Sequence, residues 1–177
     1  MKKALIVFAI LVIFFLFYFL QSNFFSWFSI SGIRPNLFVI LALFVGLYMG
    51  KTAGSLIGAT CGIILDLYVG KNIGPTGIML CIVGFLGGYF DNNFSKESKI
   101  TIILMVLGTT IIYEVGKYLI NIFLYNFNAE ILPFIKILLI EILYQFIITI
   151  ILYPIIKRVG YKIENVFKGN NIMTRYF

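Results

Sequence analysis

Histidine is absent from all 177 residues, and its absence removes whole classes of chemistry. Without an imidazole there is no serine–histidine triad, no histidine-ligated metal and no histidine proton relay. Acidic residues are nearly as scarce: seven carboxylates in the chain leave little material for a two-metal site. Charged residues of both signs make up 12%, against 61% hydrophobic ones, and the mean hydropathy is +1.03. A soluble domain of this length could not cover so much apolar surface with so few charges, so the excess has to face lipid tails. Only two cysteines occur, Cys61 and Cys81, in separate apolar runs. That placement suits small packing residues better than a disulfide.

What is present predicts an all-α integral membrane protein with six transmembrane helices. The apolar runs place spans near Ala4–Leu20, Leu37–Met49, Gly54–Val69, Ile78–Phe90, Ile100–Tyr125 and Leu132–Ile156. They form a single transmembrane domain over residues 1–156, followed by a basic tail over 157–177. A perpendicular span needs roughly 20 residues, so the second to fourth runs are short and imply tilt, thinning or inserted Gly-rich ends. Lys51 and the turn Gly50-Lys51-Thr52-Ala53-Gly54 argue against merging the second and third runs into one helix. The first run follows Lys2-Lys3 like a signal peptide. No A-x-A-like site comes after it, and Phe24, Phe25, Trp27 and Phe28 read as an interfacial aromatic belt, so it is expected to stay as an anchor.

Basic residues orient the spans. One side carries Lys2, Lys3, Lys51, Lys96, Lys99, Lys157, Arg158, Lys162, Lys168 and Arg175; the other carries Arg34 and Lys71. By the positive-inside rule this puts both termini in the cytoplasm. The net charge of +7 therefore lies mostly in cytoplasmic flanks and tail, where anionic membrane lipids explain it without nucleic acid. The tail alternates bases with Val159, Tyr161, Ile163, Val166 and Phe167, as a surface-lying amphipathic segment would.

Small residues recur every fourth position. Ala42, Gly46 and Gly50, then Gly54, Gly58 and Gly62, lead up to Asp66, and eleven glycines fall between Gly46 and Gly88. Steps of four drift slowly around one helix face, and a face without side chains lets another backbone approach closely in lipid. Two readings stay open: packing among this chain's own helices, or an interface for a partner.

Six polar positions stand out. Glu114 and Lys117, three apart on the fifth span, share a face, and Glu141 on the returning sixth span lies at a similar depth. Counted from the outer turn, the two glutamates lie roughly 15–18 Å deep and Lys117 about 13 Å. An unpaired charge there costs several kcal/mol, so either an ion pair fixing the hairpin register or a polar pocket completed by Asp66 and Arg34 is expected. Lys136, nearer the outer end, can snorkel to the surface. Asp66 reads first as a partner for the turn Gly70-Lys71-Asn72-Ile73-Gly74-Pro75, and Arg34-Pro35-Asn36 as a helix start. The aspartate pattern of the CDP-alcohol transferases, D-x-x-D-G, is not met at Asp66-Leu67-Tyr68-Val69-Gly70. Neither a catalytic residue nor a metal or other cofactor is expected, and the chain does not read as an enzyme.

The order Gly32-x-Arg34-Pro35, apolar run, Gly50-x-x-x-Gly54, Gly58, Gly62, Asp66, Gly70, Gly74 resembles that of MreD, the small integral membrane protein of the bacterial rod-shape system. Two positions depart from the family pattern. Asn36 stands where an acid often follows the proline, and Lys51-Thr52-Ala53 lacks the proline often seen in that turn. The resemblance implies a non-catalytic scaffold of the cell-elongation complex in the bacterial cytoplasmic membrane, partnering MreC. Through MreC it would reach MreB, the RodA glycosyltransferase and a class-B penicillin-binding protein. It also implies a fold similar to the substrate-binding subunits of energy-coupling-factor transporters. The alternative function is then a vitamin-capturing subunit, which docks through small residues on its first helix. Here that helix offers only Ala4 and Ala9 amid Phe8, Phe14, Phe15, Phe17, Tyr18 and Phe19.

Overall fold

A computed structural model describes residues 2–30, 32–69, 73–94, 98–125 and 130–167. Gly70, Lys71, Asn72, Lys96, the hairpin turn over 126–129, and Lys168 and Arg175 of the tail lie outside the described residues, as do the side chains of Lys2, Lys3 and Ala4.

Six helices make up the described chain. Helix α1 (Lys2–Phe19) runs on through a π-helical stretch (Leu20–Phe24) into a last turn (Phe25–Trp27). It is followed by α2 (Leu37–Met49), α3 (Lys51–Val69), α4 (Pro75–Asn93), α5 (Lys99–Tyr125) and α6 (Ile131–Phe167). Three of these are long and apolar enough to cross a membrane unaided, at Ile6–Trp27, Lys99–Leu124 and Ile131–Phe167. Leu37–Met49 and Pro75–Asp91 are shorter apolar helices.

The short α2 is the hub. Twelve of its thirteen residues are buried, and it touches each of the other five helices. Its sequence is apolar on every side, which suits a helix enclosed by protein. Buried Pro35 precedes it, and Gly50 ends it with φ +98°, its N–H donating to the Gly46 carbonyl at 2.9 Å. A side chain is strained at that φ, so glycine permits the reversal. Lys51 is already helical, so the turn expected over Gly50–Gly54 contracts to one residue.

Helix α1 sits at the rim. Ile10 and Phe14, four apart, face the core, where Phe14 meets Phe38 with ring centroids 5.2 Å apart. Phe8, Phe15 and Phe19 are exposed. At the far end, α6 passes the boundary expected at Ile156 and stays helical through Pro154 to Phe167. Gly160 and Glu164, one turn apart, are buried, and a Cβ at Gly160 would lie 2.6 Å from Cδ2 of Tyr48. Residues 157–167 are thus the last turns of the bundle. Over that stretch the helix packs on the rest of the chain, because the glycine lets α6 close on the Tyr48 ring.

Candidate functional site

The small-residue strip comes first, because its geometry decides between the two readings left open. Ala42 is buried in α2. A Cβ added at Gly54 of α3 would lie 2.5 Å from the Gly84 carbonyl oxygen, and one at Gly46 of α2 would lie 2.9 Å from the Gly88 nitrogen, both in α4. At Gly58 it would be 2.8 Å from the Leu80 carbonyl carbon, and at Gly62 2.5 Å from the Gly77 Cα. Gly88 in turn packs on Gly50 and Lys51. Real Cβ atoms do not approach backbone so closely, so these glycines are spent on contacts among α2, α3 and α4. The bare faces of Gly46, Gly54, Gly58 and Gly62, the partner-interface candidates of the sequence, are thus covered by this chain's own backbone. Gly50 serves as the hinge described above. The other half of the seam, Gly77, Gly84, Gly87 and Gly88, is legible in the sequence only as glycine abundance.

Asp66 organises the end of this block where α3 leads into α4. Its Oδ2 accepts hydrogen bonds from the backbone N–H groups of Gly74 (2.8 Å), Thr76 (3.2 Å) and Gly77 (3.2 Å). Gly74 adopts φ +122° and Pro75 opens the helix, so the carboxylate of α3 caps α4 across the connection. A negative charge on free N–H groups at a helix start is favourable both as hydrogen bonding and against the helix dipole.

A second polar group spans α2, α5 and α6. Glu114 and Glu141 lie within hydrogen-bonding reach of each other, with Lys117 close enough to act on both electrostatically. The Lys117 ammonium donates to the Tyr113 hydroxyl at a long 3.4 Å and lies 5.5 Å from that ring's centroid. A hydrogen bond between two carboxyl groups needs one shared proton. In a bilayer such groups are least costly when they pair or share protons. Lys117 leans on Tyr113, one turn away on α5, while acting on both glutamates.

Asn36 and Gln145 complete the group. The Asn36 side chain hydrogen-bonds Tyr113, and the Asn36 backbone carbonyl accepts from Gln145 Nε2 at 2.7 Å. Tyr113 and Gln145 are fully buried. The position where this sequence departs from the acid expected after Pro35 is thus the residue that ties the start of α2 to both α5 and α6. Depth counting along single helices exposed Glu114, Lys117 and Glu141; it gave no reason to place Asn36 beside them. Arg34 is exposed and Asp66 is engaged at α4, so the expected pocket joining both to the glutamates is not formed by the described contacts. Lys136 is exposed, while Cys61 and Cys81 are free thiols, buried and half-buried. Among the described residues no three potential ligands cluster to hold a metal.

The family model of the rod shape-determining protein MreD matches residues 2–160. No curated protein and no solved structure matches the chain, so the likeness to transporter subunits finds no support there. With nearly the whole chain matched, it belongs to the MreD family, whose role is in determining rod shape.

Proposed function

We propose that this member of the MreD family is a non-catalytic, multi-pass scaffold of the cell-elongation complex, with both termini in the cytoplasm. It would hold MreC, and through it MreB, RodA and a class-B penicillin-binding protein. The observation that carries this reading is that the acids with reactive potential serve architecture. Asp66 is bound to three backbone N–H groups, and Glu114 and Glu141 are bound to each other. A chain whose polar groups hold helices in register is built to present a surface.

That surface lies away from the glycines. At the outer ends of the helices Trp27 is 89% exposed and Leu132 83%, with Phe28, Ile30 and Phe123 also exposed. The Tyr144 hydroxyl donates to the Phe28 carbonyl, which ties the end of α1 to α6. We assign these exposed side chains to the membrane-proximal part of MreC. Photo-crosslinkers at Trp27 and Leu132 are expected to capture MreC in cells, while those at Gly58 and Gly84 yield only internal products. MreC captured from the glycine positions, and not from Trp27 and Leu132, would overturn the assignment. The transporter alternative gains nothing from α1, which exposes Phe8, Phe15 and Phe19 instead of small side chains.

A further inference from the structure

We infer that the cytoplasmic end of the α5–α6 hairpin is a binding site for the phosphate of an anionic inner-leaflet phospholipid. A cleft of ≈ 380 Å³ opens there between Lys99 and Ile103 of α5 and the stretch of α6 that includes Ile150, Tyr153, Lys157 and Arg158. The orientation proposed above places this end at the inner leaflet, and the inference rests on that orientation.

Level and layout both point to lipid. Lys99 lies 26 residues before the end of α5, and Lys157 lies 26 residues after the start of α6. At 1.5 Å per residue both stand about 39 Å from the outer ends of their helices, the distance from one headgroup layer to the other. Along α5, Ile103 follows Lys99 by one turn toward the bilayer centre. Along α6, Arg158, Pro154 and Ile150 descend in the same direction at steps of four. The cleft therefore has cations at its mouth and aliphatic side chains below, which is the polarity of a phospholipid with its phosphate outward and a chain inward. A soluble anion makes no use of that floor.

The cations are gathered rather than scattered. Buried Tyr153 has the Lys99 ammonium 5.9 Å from its ring centroid and the Lys157 ammonium 5.7 Å away, so both cations border the same ring of the cleft. Cation–π attraction steadies each ammonium there. Arg158 adds a planar fork suited to two phosphate oxygens.

The test uses the full chain purified in neutral detergent, with native mass spectrometry and thermal melting as readouts. Phosphatidylglycerol is expected to be retained and to raise the melting temperature, while phosphatidylcholine and inorganic phosphate do neither. Arg158→Gln should weaken phosphatidylglycerol retention about fivefold, and Lys157→Gln with Arg158→Gln about 25-fold. Lys162→Gln, an equally exposed cation one turn beyond Arg158 that lines a different groove with Val159 and Ile163, should leave it unchanged. Melting in phosphatidylcholine checks that each variant is folded; Arg158 is exposed, so its single variant keeps the test decisive if the double one misfolds. Equal retention of both lipids, a shift produced by inorganic phosphate alone, or a loss in Lys162→Gln matching that in Arg158→Gln would each overturn the site. None of these outcomes bears on the MreC crosslinks.

Discussion

The two halves of this bundle are held together by opposite means. In the block α2–α3–α4, backbone meets backbone: Gly46, Gly54 and Gly84 converge from three helices, and side chains are excluded from the seam. In the hairpin α5–α6, large and polar side chains fill the space. Tyr118 stacks on Phe134 with centroids 4.2 Å apart, and Glu114, Lys117 and Glu141 sit between the helices. Lipid offers little hydrophobic drive for helix association, so both halves depend on close contact or on polar groups that lack a better partner. The glycine block uses the first route and tolerates no added volume. The hairpin uses the second and is sensitive to charge.

Added volume should break the first half most severely. Gly84→Leu or Gly54→Leu forces backbone apart, and since backbone cannot change rotamer, the loss should exceed the ~1–3 kcal/mol usual for overpacking. The expected readout is inserted protein that no longer elutes as a monodisperse species from neutral detergent. Gly116→Ala sharpens the point: its Cβ would meet the Met79 thioether, a flexible neighbour, so melting should shift by only a few degrees. A monodisperse, fully stable Gly84→Leu protein would remove the distinction between the halves.

Charge should break the second half. Lys117→Leu leaves two carboxyl groups without their cation, and removing one partner from a buried charged group costs ~3–5 kcal/mol. Pairing it with Glu114→Leu should recover a large part of that loss, a non-additivity that a double-mutant cycle in thermal melting would register. Additive losses would mean that the group does not act as a unit.

Smaller effects come at the junctions. Asp66→Ala removes the acceptor for three N–H groups at the start of α4 and is expected to cost ~2 kcal/mol, the upper end for a helix cap. Asp66→Asn keeps an oxygen but not the charge and should lie between it and the native chain. Lys136→Leu, at an exposed site, should change stability by less than ~0.5 kcal/mol. These values would be ranked by melting in one detergent, and a Lys136→Leu effect equal to that of Lys117→Leu would erase the buried-group argument.

Legibility in the sequence followed the same divide. Hydropathy and turn residues located all six helices, with ends that moved most after α1, where helical structure continues to Trp27, and at α6, which continues to Phe167. Gly50 could be seen as a turn residue, but the collapse of that turn to a single positive-φ position depends on how closely α2 and α3 pack. Glu114, Lys117 and Glu141 were legible because depth along a hairpin is simple counting. Asn36 was not, because it reaches them from a helix start 77 positions earlier in the chain than Tyr113, a proximity no local pattern encodes.

Composition, periodicity and the spacing of small residues determined by themselves that this is a helical membrane protein, which stretches are helices, and which positions lack the bulk to keep backbones apart. They do so because hydropathy and helix period are properties of short stretches of chain. Which backbone would occupy the space beside each glycine was decided only by the tertiary structure, because an open face fits a helix of the same chain or of another equally well. Here α4 supplies that partner from within, its own glycines matching those of α2 and α3.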